Sequence, residues 1–288
     1  MDLCNLSVIR DLMADAGISF RKEFGQNFLI NRMIPEDIAD NCADTADMMV
    51  LEIGPGIGCL TQELALRYKR VVAVEIDNGL IPILGRTMEE YDNVTVINDD
   101  IMKVDLAALV EEYSYGLPVA VCANLPYYIT TPILMRLLES GVKFTSITIM
   151  IQNEVAARLV AKPGSSDYGA ITAVLGYYGE AKRLFKVSAG CFTPKPKVDS
   201  AVVRIDLYKE PRYTPKSEKL MRDVIRAAFE MRRKTLLNAA SAKLGGYTKD
   251  EILAAIRATG HPDDVRGERL STADFVKLSD ALFDIKEI

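Results

Sequence analysis

The sequence predicts an open, mostly parallel α/β sheet wound on both faces, followed by a small all-helical domain. Two observations carry that prediction: seven short β-rich runs alternate with helical patterns up to about residue 208, and from about Pro215 the texture is helical throughout. In order, the runs are MMVLEI (48–53), VVAVEI (71–76), VTVI (94–97), VAVCA (119–123), SITIMI (146–151), AKRLFKV (181–187) and AVVRIDL (201–207). Helical patterns lie between them, for instance Leu60 to Tyr68 and Pro132 to Leu138. Sheets of this kind bind ligands beyond the carboxyl ends of their strands. The VAVCA strand has a built-in stop, because Pro126 offers no N–H to the ladder and holds Leu125 extended.

Four helices are expected downstream, over 217–230, 232–243, 248–258 and 271–283. Thr248 and Glu251, three positions apart, have the spacing of a capping box. Pro211 and Pro215 flank the change of texture, which divides the chain into 1–210 and 211–288.

Composition narrows the function classes. The chain has 288 residues, 49% of them apolar, enough for a large core. No apolar run approaches the roughly 18 residues that a membrane span requires. Asp2, Asp11, Asp15 and Glu23 punctuate the N-terminal segment, which fits neither a signal peptide nor an acid-poor transit peptide. The expectation is a cytoplasmic protein with no membrane contact, and nothing demands more than a monomer. Cys4, Cys42, Cys59, Cys122 and Cys191 are scattered without a CxxC pair and read as reduced, half-buried thiols. With His261 the single histidine, neither a histidine-dependent triad nor a multi-histidine metal site is expected, and no metal is assigned.

A net charge of −5 weighs against nucleic acid as a partner, but phosphate binding depends on where the cations sit. Lys182, Arg183, Lys186, Lys195, Lys197 and Arg204 gather against one anion, Asp199. Arg222, Arg226, Arg232, Arg233, Lys234 and Lys243 form a second concentration. Taken alone, either cluster reads as a solvated helix face.

Three consecutive strand ends carry ligand-binding character. LEIGPGIG (51–58) places Gly54, Gly56 and Gly58 directly after the first run, so the backbone can turn tightly and approach a ligand. Glu75, at the end of the second, is placed to accept from two ribose hydroxyls. A dinucleotide fingerprint would need a third glycine where Cys59 stands, and Pro55 also disfavours a pyrophosphate loop. A cofactor with ribose and adenine but no phosphate fits better, which points to S-adenosylmethionine. Asp100, after the third run, can accept from its adenine amino group.

Opposite these acids stands Asn124-Leu125-Pro126-Tyr127, which offers an amide, a freed backbone carbonyl and an aromatic face together. An exocyclic adenine amine is a poor nucleophile while its lone pair is delocalised into the ring. The Asn124 side-chain oxygen and the Leu125 carbonyl, accepting its two hydrogens, would localise that lone pair toward a methyl donor. Tyr127 would stack on a base drawn out of folded RNA.

These motifs, in this order and spacing, resemble the ribosomal RNA small-subunit methyltransferase A family of adenine dimethyltransferases. The resemblance covers nearly the whole chain: FGQNFLIN (24–31), LEIGPGIG, VEID, NDD, NLPY, FTPKPKVDSAVV (192–203) and FEMRRKTLLNAA from Phe229. It implies a Rossmann-like, seven-stranded S-adenosylmethionine-dependent methyltransferase domain over 1–210 and a helical RNA- or ribosome-binding domain over 211–288. It further implies that Gln26, Asn27 and Leu29 close over the cofactor, that Gly54, Gly56, Glu75, Asp100 and Asn124 bind it, and that Phe192 packs on the second face of the target adenine. The implied substrate is a pair of adjacent adenosines in the hairpin loop near the 3′ end of 16S rRNA, on an assembling small ribosomal subunit. Lys195, Lys197, Arg226, Arg232, Arg233 and Lys234 become the expected RNA contacts. One departure stands at Asn153, where the family pattern leads to a lysine.

Three alternatives share parts of this pattern. A 23S rRNA methyltransferase of the antibiotic-resistance type has the same cofactor fold, but NLPY and KVDSAV favour the small-subunit enzyme. An enzyme acting on a protein glutamine amide could use a similar acceptor motif. An assembly factor whose binding matters more than methylation could keep the same chain.

Overall fold

The computed structural model describes residues 1–18 and 27–287. Its strands are β1 (Phe28–Leu29), β2 (Met49–Ile53), β3 (Arg70–Glu75), β4 (Val94–Asn98), β5 (Val119–Asn124), β6 (Phe144–Gln152), β7 (Gly179–Val187), β8 (Phe192–Thr193) and β9 (Ser200–Leu207). Seven of them form one sheet in the order β4-β3-β2-β5-β6-β9-β7, and β1 and β8 form a separate antiparallel pair. The strands from β4 to β6 run parallel, and β9 is antiparallel to β6. The expected seven-stranded, mostly parallel sheet is therefore present.

The central strands are buried on both faces, as helix-covered parallel strands are. All five residues of β2 are buried, and β3 and β5 are buried except for one terminal residue each. The chain runs outward from β2 through β3 to β4, then returns to the other side of β2 as β5. That reversal opens a crevice at the carboxyl ends of β2 and β5, the position at which open α/β sheets bind ligands.

Two compact units divide the chain. One comprises Met1–Ala156 with Lys182–Lys209, and the other comprises Ala157–Ala181 with Glu210–Ile288. A single boundary near 210 therefore misassigns 157–181. That segment packs among the later helices: Thr272 donates to the Ala173 carbonyl at 2.9 Å, Gly164 N–H donates to the Glu268 carbonyl at 2.7 Å, and the Tyr168 and Phe229 rings meet edge to face at 5.7 Å.

The second unit's helices follow their caps. Ser217 caps Glu218–Glu230, and Thr248 with Glu251 forms the expected capping box on Lys249–Ala258. The helix expected from 232 begins instead at Leu236, because Thr235 accepts from Asn238 N–H while Lys234 N–H closes a turn onto the Met231 carbonyl. The last helix runs Thr272–Glu287. No described helix is long and apolar enough to cross a membrane. Four of the five cysteines are buried, where the sequence suggested half-burial; Cys122, for instance, lies inside β5, whose apolar run places it in the core.

Candidate active site

The turn after β2 is shaped by two glycines. Gly54 and Gly56 have φ of +70° and +63°, a region that side chains resist, and a Cβ on Gly56 would lie 3.2 Å from the Phe28 ring. Gly54 N–H donates to the Val74 carbonyl at 2.9 Å, and Gly56 N–H donates to Glu75 Oε2 at 3.1 Å. The other Glu75 oxygen accepts from Asp77 N–H at 2.8 Å. One buried carboxylate thus holds both loops in place, with lone pairs left over for a ligand. Burial raises the Glu75 pKa, and the backbone donors hold the rise in check.

Asp100 lies two residues past β4. Its Oδ1 accepts from Met102 N–H at 2.9 Å, and Lys103 stands 3.7 Å from its Oδ2. Across the crevice, β5 ends at Asn124, and Leu125 N–H donates to the Met150 carbonyl at 3.2 Å. No described residue donates to the Leu125 carbonyl, so the proline stop leaves it as an acceptor. Asn124 Nδ2 donates to the Asn27 carbonyl at 3.4 Å, which commits the amide nitrogen and leaves Oδ1 as the amide's acceptor. The Tyr127 hydroxyl shares a 2.8 Å hydrogen bond with Ser200, and burial raises its pKa.

The β1–β8 pair brings distant segments to the same place. Leu29 is in register with Phe192, and Phe28 with Thr193. In consequence Asn27, Leu29, Gly54, Gly56, Glu75, Asp100, Asn124, Leu125, Tyr127 and Phe192 all line one cleft of about 1130 Å³, its open mouth included. Gln26 lies outside the described residues.

Glu52 also lines this cleft, and the motif reading passed over it. It is 1% exposed, and its Oε2 has no hydrogen-bond partner among the described residues. Burial pushes its pKa up to about 8; Thr61 opposes the rise and Glu75 adds to it. The signal was legible as an acid inside an otherwise apolar central strand. A glycine turn, two ordered carboxylates, an orphaned buried carboxyl and a free carbonyl around one cleft fit a cationic nucleoside ligand such as S-adenosylmethionine. Among the described residues, no group of His, Cys, Asp and Glu could hold a metal.

The expected RNA contacts divide into two sets. Lys195, Lys197, Arg233 and Lys234 are exposed and form no ion pair with a described residue. Arg226 stands 3.7 Å from Asp223 and is 70% exposed. Arg232 is also exposed but is engaged within its own unit: it donates to the Ser166 and Tyr168 carbonyls and lies 3.6 Å from Glu268. At the departure from the family pattern, Asn153 accepts from Arg183 at 2.7 Å, so a cation carried by β7 is present there.

Comparison with known proteins places the chain in a family. The family described as ribosomal RNA adenine dimethylase matches residues 17–282. The ribosomal RNA small subunit methyltransferase A of Clostridium acetobutylicum is 45% identical over 276 residues, 95% of this chain and 98% of that protein. A dimethyladenosine transferase from Plasmodium falciparum superposes with a TM-score of 0.75 at 25% identity, covering 90% of this chain and 97% of the other. The 23S rRNA methyltransferase ErmE superposes at 0.67 with 26% identity, covering 89% and 100%. By a match that spans both compact units, the chain belongs to the ribosomal RNA adenine dimethylase family.

Proposed function

We propose that the protein uses S-adenosylmethionine to dimethylate the exocyclic amines of two adjacent adenosines in the 3′-terminal hairpin loop of 16S rRNA, on the assembling small ribosomal subunit in the cytoplasm. The observation that carries this reading is the acceptor pair at the end of β5. Asn124 Oδ1, its amide oriented by Asn27, and the undonated Leu125 carbonyl line the same cleft as Gly54 and Glu75.

When bound, S-adenosylmethionine supplies an electrophilic methyl group. Glu75 accepts from its ribose hydroxyls, Asp100 from its adenine amine, and Asn27 and Leu29 close the site. Asn124 and Leu125 accept the hydrogens of the target amine and localise its lone pair, so no strong base is needed before the proton leaves to water. Tyr127, anchored through Ser200, and Phe192 provide faces for the target base. Lys195 and Lys197 in the first unit, and Arg233 and Lys234 in the helical unit, supply phosphate contacts.

The identity of 45% to a small-subunit enzyme over 95% of this chain supports the small subunit as substrate. The test is methyl transfer from labelled S-adenosylmethionine to unmethylated small subunits, to large subunits and to glutamine peptides. Label in small-subunit RNA is expected, and label in the large subunit or the peptides alone would overturn the reading.

A further inference from the structure

Two aromatic side chains among the described residues are strongly exposed, Tyr115 at 74% and Tyr128 at 64%. The Tyr115 ring is covered by the Arg70 guanidinium, 4.2 Å from its centroid. Tyr128 has no hydrogen bond or ring contact with any described residue. It lines the mouth of the cleft beside Asn124, Leu125 and Tyr127.

The turn that carries Tyr128 is firmly held. Ile129 N–H and the Thr130 hydroxyl both donate to the Pro126 carbonyl at 3.2 Å, and the preceding Tyr127 is tied to Ser200. A fixed backbone therefore presents a bare aromatic face to solvent, beside the acceptor pair. An adenine drawn out of a loop leaves the adjoining base without a stacking neighbour, and an aromatic ring replaces that neighbour whatever the base is.

Resting on the functional reading above, we infer that Tyr128 is the stacking platform for the nucleotide adjoining the target adenine, so that two consecutive tyrosines serve two consecutive bases. Tyr127 faces the reacting base, and Tyr128 binds its neighbour through the ring face, without reading its identity.

Tyr128→Leu is expected to raise KM for unmethylated small subunits roughly tenfold, within the range that loss of one base–aromatic stack produces. Its kcat and cofactor affinity stay near wild type, and Tyr128→Phe restores KM. An unchanged KM, or a loss confined to kcat, would overturn the inference. Because the chain has no tryptophan, Tyr128→Trp also installs a single tryptophan, whose emission can be excited apart from that of the tyrosines. Tyr115→Trp is its control, since Arg70 opens β3 and the cleft lies past the strand's other end. Unmethylated small subunits should quench the reporter at 128 well beyond the one at 115; equal quenching would contradict stacking. Wild-type protein that methylates normally while these variants show no effect sinks this inference alone. Wild-type protein that leaves small-subunit RNA unmethylated sinks the functional reading instead.

Discussion

Asn124 Nδ2 donates to the carbonyl of Asn27 across 97 positions of sequence, joining the end of β5 to the residue that precedes β1. The bond decides which end of the amide stays available, and the available end is the acceptor. Asn124→Ala removes that acceptor and leaves Glu75 and the glycine turn intact. We expect kcat to fall roughly 100- to 1000-fold, as when one preorganised polar group is deleted from a reacting site. Calorimetry should show cofactor affinity changed by only a few-fold. Undiminished turnover would remove Asn124 from the chemistry.

Glu75 has the opposite signature. Glu75→Ala removes an acceptor for two hydroxyls and deprives the Gly56 and Asp77 N–H groups of their partner. Charged hydrogen bonds of this kind make a roughly 10- to 100-fold rise in the S-adenosylmethionine Kd the expected result. Turnover at saturating cofactor should fall much less. Equal affinity in wild type and variant would mean that the carboxylate only shapes the loops.

Glu52 predicts a pH dependence of stability. Its folded pKa of about 8 lies above the ordinary value of 4.5, so within that window the native state holds a proton that the unfolded state has lost. Stability therefore falls as pH rises through the window and levels off above it, at up to about 1.4 kcal/mol per pH unit from this group. Glu75 is shifted in the same direction and adds to the slope. Glu52→Gln should flatten the slope measured by denaturant melts between about pH 5 and about pH 8. A variant with the wild-type slope would show that Glu52 is ionised in the fold.

The strands and the residues gathered around the cleft were legible because their signals are local. A glycine-rich turn, an acid at a strand end and a proline that stops a ladder each act within a few residues. Three features were not legible for the converse reason. The β1–β8 pairing joins two-residue strands whose partners are far apart in sequence, with no periodicity to announce them. The membership of 157–181 in the helical unit rests on bonds such as Thr272 to Ala173, which no composition shift marks. Arg232 belongs to a run of three cations, but backbone carbonyls from residues 166 and 168 capture it.

That difference separates Arg232 from its neighbours in a testable way. Arg233→Gln with Lys234→Gln should reduce the dependence of log affinity on log salt for small-subunit binding, at unchanged melting temperature. The slope should fall by about 1 for each phosphate left without its cation. Arg232→Ala should instead destabilise the fold by about 0.5–1.5 kcal/mol, because it removes the donor to the Ser166 and Tyr168 carbonyls and the cation beside Glu268 at a partly exposed site. An Arg232 variant with native stability and a reduced salt slope would exchange the two roles.

The amine-acceptor account is tested most directly by the chemistry and position of the product. Purified protein, unmethylated small subunits and S-adenosylmethionine are incubated, and the RNA is digested and mapped by mass spectrometry. The expected product is N6,N6-dimethyladenosine at two adjacent positions of the 3′-terminal hairpin loop, formed at least about 100-fold more slowly when Asn124→Ala replaces wild type. Methyl groups on another atom or another nucleobase, or dimethyladenosine formed equally well by Asn124→Ala, would contradict the account.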